Sequence, residues 1–189
     1  MQRGRRCQRS RRCVQRWRHR IRRRRAGALQ SPREVVTLPL DAVRAMPGID
    51  LMRAMFAGDL PRAPIALLLG FDGGAVGEGW VEFSGVPGEQ HYNPLGTVHG
   101  GYAATMLDSC MGCAVHTTLK AGIGYTTIDM NVTYLRPMNA ATGRVTARGE
   151  VITSGRRVAT ARATLTDTRG KLIATATTSC LVFPLGDSA

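Results

Sequence analysis

One segment of this chain sustains a helical pattern, and four strand patterns follow it in direct succession. Between about Val98 and Leu119, residues Ala103, Ala104, Leu107, Met111, Ala114 and Val115 share one broad apolar face, so this helix must be packed on a sheet or wrapped by one. Beyond Gly122-Ile123-Gly124, residues Thr127, Asp129, Asn131 and Thr133 alternate with Ile128, Met130, Val132 and Tyr134. That is the period-two pattern of a half-buried strand. Further strands are expected at about Thr142–Thr153, Arg156–Asp167 and Lys171–Phe183, with turns at Ser154-Gly155 and Thr168-Arg169-Gly170. Upstream, Pro47–Ala57 reads as a short helix closed by Gly58, and a linker containing Pro61 and Pro64 follows it. Ile65–Phe71 and Gly79–Val86 read as a hairpin joined through Asp72-Gly73-Gly74. A single long helix between a hairpin and an antiparallel meander implies an α+β fold with the sheet curled around the helix.

The charge is not spread evenly over this plan. Residues 1–25 hold 13 of the 26 basic residues and no acid, while residues 26–189 hold 13 Lys or Arg against 13 Asp or Glu. The high net charge therefore belongs to the first segment, and it is no reason to read the remainder as a nucleic-acid binder. The basic segment, with few apolar residues and strong self-repulsion, is expected to be disordered over about residues 1–30. It has three readings: an arm for nucleic acid or acidic membrane, an organelle-targeting segment, or the product of an upstream start codon, the last of which needs no function. No apolar region follows the arginines, and the longest aliphatic run, Ile65–Leu69, is far too short to span a membrane. The expectation is a cytoplasmic protein with residues 31–64 as leading helix and linker and 65–184 as the main domain. Cys110 and Cys113 have C-x2-C spacing but lie inside the apolar helix without a second pair, so neither metal nor disulfide is expected from them.

The chemistry concentrates in His91–Ala114. Asp108 is the one acid between Glu89 and Asp129, and Lys120 is the one Lys or Arg in that interval. Periodicity alone leaves Asp108 open to two readings, a solvated helix acid beside Thr105 and Ser109 or a functional carboxylate. His99-Gly100-Gly101 favours the second. Glycines at a helix start let backbone N–H groups approach a ligand closely, where the first-turn amides are unpaired and can stabilise an oxyanion.

Asn93, Gly96-Thr97-Val98-His99-Gly100-Gly101 and Asp108, followed by the strand Thr126–Tyr134 and Arg136-Pro137, resemble the signature of hotdog-fold acyl-CoA thioesterases of the phenylacetate-degradation type. The resemblance spans roughly residues 48–184. It implies that Asp108 acts as general base or nucleophile, that Gly100 N–H polarises the thioester carbonyl, that Asn93 orients water or thioester, and that His99 shapes the loop and fixes Asn93. It also places a hydroxyl, here Thr127, opposite the carboxylate. Arg136, Arg156 and Arg157, near strand ends, are candidates to contact the phosphates of coenzyme A, which enters as part of the substrate and not as a separate cofactor. The acyl pocket is expected between the central helix and Met52, Met55 and Phe56.

One inference needs no family. Gly100 and Asp108 on one helix lie about 12 Å apart at roughly 1.5 Å per residue, too far to reach one thioester. If both act, Gly100 of one chain must meet Asp108 of another. A two-fold homodimer with antiparallel helices supplies this twice, and a tetramer of such dimers is compatible with it. Two other functions fit the same fold, an enoyl-CoA hydratase and a non-catalytic acyl-CoA sensor with a basic nucleic-acid-binding tail. The first lacks an Asp–His pair in register, since Asp108 and His116 stand two turns apart, and the second lacks a helix-turn-helix segment.

Overall fold

The computed structural model describes residues 37–38 and 40–186; the basic segment of residues 1–30 lies outside them. Among the described residues three short helices, α1 (Leu40–Ala45), α2 (Gly48–Ala57) and α3 (Pro64–Leu69), precede strands β1 (Phe71–Gly77) and β2 (Trp80–Gly85). The long helix α4 (Gly100–Thr117) follows, then β3 (Ile123–Tyr134), β4 (Val145–Ser154), β5 (Val158–Asp167) and β6 (Leu172–Pro184). The six strands form one sheet in the order β1-β2-β4-β5-β6-β3, with every neighbouring pair antiparallel. Helix α4 packs against β2, β3, β4, β5 and β6, so the sheet curls around it as the hotdog expectation requires.

The curl follows from side-chain size. Helix α4 presents Met106, Leu107, Cys110, Met111, Ala114 and Val115, all fully buried. The strands facing it carry mostly small residues, among them Ala147, Gly149, Ala159, Ala161, Ala163, Ala174 and Ala176. Large side chains on the helix against small ones on the sheet bring the two close enough to fill the core without voids. The helix starts at its cap, where His99 Nδ1 accepts from Gly101 N–H. Its other end is tied to the first hairpin, because Gly79 N–H donates to Thr117 Oγ1.

The structure corrects the reading of the first hairpin. The aliphatic run expected as a strand is helix α3, with Pro64 in its first turn and Gly70 (φ 68°) closing it. The strand begins at Phe71 and includes Asp72-Gly73-Gly74, which had read as the turn; the reversal lies at Glu78-Gly79, between paired Gly77 and Trp80. A six-residue apolar run has too little length for its period to decide, and the proline and left-handed glycine decide it instead. Strand β3 departs from strict alternation as well. A bulge between Thr127 and Asp129 leaves Ile128 without a partner on β6 and exposed. Inward-facing Thr127 therefore shares a face with Met130 and Val132, which simple period-two counting had put opposite it.

Candidate active site

Helix α4 runs alongside β3 in the opposite direction, so the two elements meet at successive levels. At the helix start Tyr134 Oη donates to the Gly100 carbonyl oxygen at 3.2 Å. Two turns further on, Thr127 Oγ1 donates to Asp108 Oδ1 at 3.0 Å. The bulge in β3 aims that hydroxyl at the helix. Asp108 is half-buried, and among the described residues it forms no ion pair with Lys or Arg. A carboxylate held by one hydroxyl keeps its remaining lone pairs for a reactant.

Asp108 lines a cavity of about 490 Å³. One wall is polar, with Asp108, Ser109, Cys113, Tyr125 and Thr127; the other is built from Met55 and Phe56 of α2, Ala66 of α3, and Phe71 and Phe83 of the sheet. Met52, also expected in that wall, is instead buried in the core. Burial pushes the Cys113 thiol up to about 12, with the neighbouring Tyr125 hydroxyl opposing. At neutral pH it is a protonated thiol and a poor nucleophile. Of the two carboxylates lining the cavity among the described residues, Asp72 is paired with Arg62, which leaves Asp108 as the one suited to activating water or attacking a carbonyl.

Gly100 lies elsewhere. It lines a separate cavity of about 320 Å³ with Val98, Ala103, Tyr134, Arg136 and Met138, and no residue borders both cavities. His99 occupies two first-turn amides: its Nδ1 accepts from Gly101 N–H and its carbonyl oxygen from Tyr102 N–H. Among the described residues no acceptor takes the Gly100 N–H, so it is available to a ligand.

The remaining candidates divide between these places. Asn93 organises its own turn, accepting from Leu95 and Thr97 N–H and donating to Thr97 Oγ1. His99, expected to fix Asn93, bonds Gly101 instead. Arg136 reaches the Gly100 cavity and donates from Nε to the Leu172 carbonyl oxygen. Arg156 and Arg157 are exposed in the β4–β5 turn, and neighbouring Ser154 bonds Thr118 at the far end of α4. Within one protomer these arginines are not gathered into one cluster. His91 and His116 are structural: His91 packs on Tyr102 with ring centroids 4.5 Å apart, and buried His116 meets Tyr125 edge-on at 5.6 Å.

A phenylacetic acid degradation-related protein of Ralstonia eutropha JMP134 is 34% identical to this chain, which covers 97% of that protein with 68% of its own length at a TM-score of 0.62. The chain belongs to the thioesterase superfamily. The model for that family matches residues 95–174, which contain both Gly100 and Asp108. Phenylacetic acid degradation protein of Thermus thermophilus is 29% identical, with 97% of that chain and 62% of this one covered at a TM-score of 0.57. Acyl-coenzyme A thioesterase 13 of Mus musculus is 39% identical over 87 residues, 46% of this chain and 61% of its own length. The chain thus spans about 61% of that curated relative.

Sequence reading missed two residues that line the cavity beside Asp108, Tyr125 and Cys113. Tyr125 precedes the stretch singled out for its alternation, and Cys113 was indistinguishable from any small buried helix residue. Their pairing exists only because β3 is laid along α4.

Proposed function

We propose that this protein hydrolyses acyl-CoA thioesters to a free acid and coenzyme A, as a homodimer whose two sites each combine Gly100 of one chain with Asp108 of the other. The observation that carries the reading is the division of the site. An unpaired N–H at a helix start and a hydroxyl-bound carboxylate two turns away line different cavities, and neither is a complete site alone. Strand β3 supports the dimer. It is an edge of the sheet, 12 residues long, with exposed Ile128 and Tyr134, and such an edge invites pairing with another chain. Pairing about a two-fold axis there sets the two α4 helices side by side and antiparallel.

In that arrangement Gly100 N–H polarises the thioester carbonyl, while Asp108, steadied by Thr127, activates water or adds to the carbonyl carbon. Asn93 shapes the loop leading to Gly100, and His99 caps the helix that carries it. Arg136, beside Gly100, is placed to meet a phosphate of coenzyme A, and Arg156 and Arg157 extend the basic surface from the partner's side.

Two variants test the composite site. Gly100→Pro removes one N–H at the first helical position, where proline is tolerated. Asp108→Asn removes the carboxylate. Each alone should lose thiol release from acyl-CoAs by about 10²-fold or more. Mixed and re-associated, they should recover roughly a quarter of wild-type activity, because half of random dimers are mixed and each has one intact site. Failure of the mixture to recover, with mixed dimers shown to form, would refute the shared site; absence of thiol release by the wild type would refute hydrolysis.

A further inference from the structure

We infer that Phe56 is the end wall of the acyl cavity and that Gly73 beneath it sets where the wall stands, so this pair fixes the longest acyl group accepted. The inference rests on the thioesterase reading and adds its specificity determinant.

The cavity spans the open side of the curled sheet. It takes Tyr125 and Thr127 from β3 and Phe71, Asp72 and Gly73 from β1, and these strands are the opposite edges of the sheet. Asp108 bonds to Thr127, so the reacting carbonyl belongs at the β3 side. The acyl tail then points toward β1. Three rings stand there: Phe56 meets Phe83 edge-on at 5.5 Å, and Phe71 meets Phe83 in the same way at 5.6 Å. Phe71 and Phe83 are core residues, 1% and 7% exposed, whereas Phe56, in the last turn of α2, is only half-buried. Phe56 is the ring of the three with room to move.

Gly73 explains its position. A Cβ there would lie 2.7 to 2.8 Å from three atoms of the Phe56 ring, closer than real contacts allow. Gly73 is not among the positive-φ glycines, so its backbone accepts other residues. What the missing side chain provides is space for the ring. Arg62 holds the arrangement from the side, donating to the Phe71 carbonyl oxygen at 2.8 Å and pairing with Asp72, which fastens the α2–α3 connection to β1.

A methyl group at position 73 must lift the ring off β1 into the cavity it lines, and removal of the ring opens the same end. The test compares kcat/KM for saturated acyl-CoAs from acetyl to palmitoyl in the wild type, Phe56→Ala, Gly73→Ala and the double variant, read as thiol release. Phe56→Ala should raise the long-to-short ratio by about tenfold or more, and Gly73→Ala should lower it comparably. The double variant should behave as Phe56→Ala does, since its methyl group has no ring to displace. If Phe56→Ala does not fold, Phe56→Leu carries the same prediction with a smaller shift. An unchanged ranking in all variants, a uniform loss at every length, or a double variant that keeps the shortening would overturn the inference while leaving hydrolysis standing. A wild type that releases thiol from no member overturns the thioesterase reading and this inference together.

Discussion

Gly149→Ala should destabilise the protein far more than one methyl group suggests. Gly149 lies in β4 directly under α4, and a Cβ there would stand 2.5 Å from the carbonyl carbon and oxygen of Cys110 and 2.7 Å from Met111 N. These are backbone atoms in the middle of a buried helix, so no flexible side chain can yield. Ordinary carbon contacts fall at about 3.5–4.0 Å, so the helix must rise by roughly 1 Å, which forfeits a quarter to a half of each dispersion contact beneath it. Leu107, Cys110, Met111 and Ala114, all fully buried, are the residues affected. Overpacking costs about 1–3 kcal/mol, and a contact with unyielding backbone belongs at the top of that range, about 3 kcal/mol. For a domain of this size this corresponds to a fall in Tm of roughly 6–12 °C. Thermal and urea unfolding at one fixed protein concentration would measure it. Gly186→Ala serves as the control, because a Cβ there would meet no heavy atom within 4 Å and its φ is not positive. A Gly149→Ala variant no less stable than that control would show that the helix does not rest on β4 at this point.

Three further outcomes are expected. Thr127→Val removes the hydroxyl bonded to Asp108 while keeping side-chain shape; a catalytic carboxylate that loses its orienting bond should lower kcat/KM roughly 10- to 100-fold, while Tm falls by only a few degrees. A full loss of Tm without selective loss of rate would assign Thr127 to packing alone. Burial lowers the pKa of His116 below its ordinary 6.5, so the unfolded state binds more protons in acid and folding stability is lost as pH falls below 6.5. Urea midpoints measured from pH 8 down to pH 5 should decline, and the decline should be shallower in His116→Gln; equal slopes would contradict the burial. Tyr125→Phe removes the hydroxyl that holds the Cys113 thiol down against burial in the cavity wall, so it should make Cys113 harder to alkylate, by several-fold in rate with a small maleimide. An unchanged rate would place the control of Cys113 elsewhere.

The helix, the four following strands and the Asn93, His99-Gly100-Gly101 and Asp108 pattern were legible in the sequence because each is a local signal. Apolar periodicity, turn glycines and a short motif all lie within a window that backbone geometry alone interprets. Even the separation of Gly100 from Asp108 could be worked out beforehand, since the rise of a helix is a constant. The failures came where two distant segments had to agree. Helix α3 reads as a strand and the start of β1 as a turn because a short apolar run suits either element, and the proline, the capping glycine and pairing with β2 settled the matter. The bulge that turns Thr127 toward Asp108 shows only in the register of β3 against β6. The aromatic end of the cavity joins Phe56, Phe71 and Phe83, which no periodicity connects. A sequence determines what each segment does with its own backbone; only packing decides which side chains face one another across an empty space, because that depends on contacts between residues far apart in the chain.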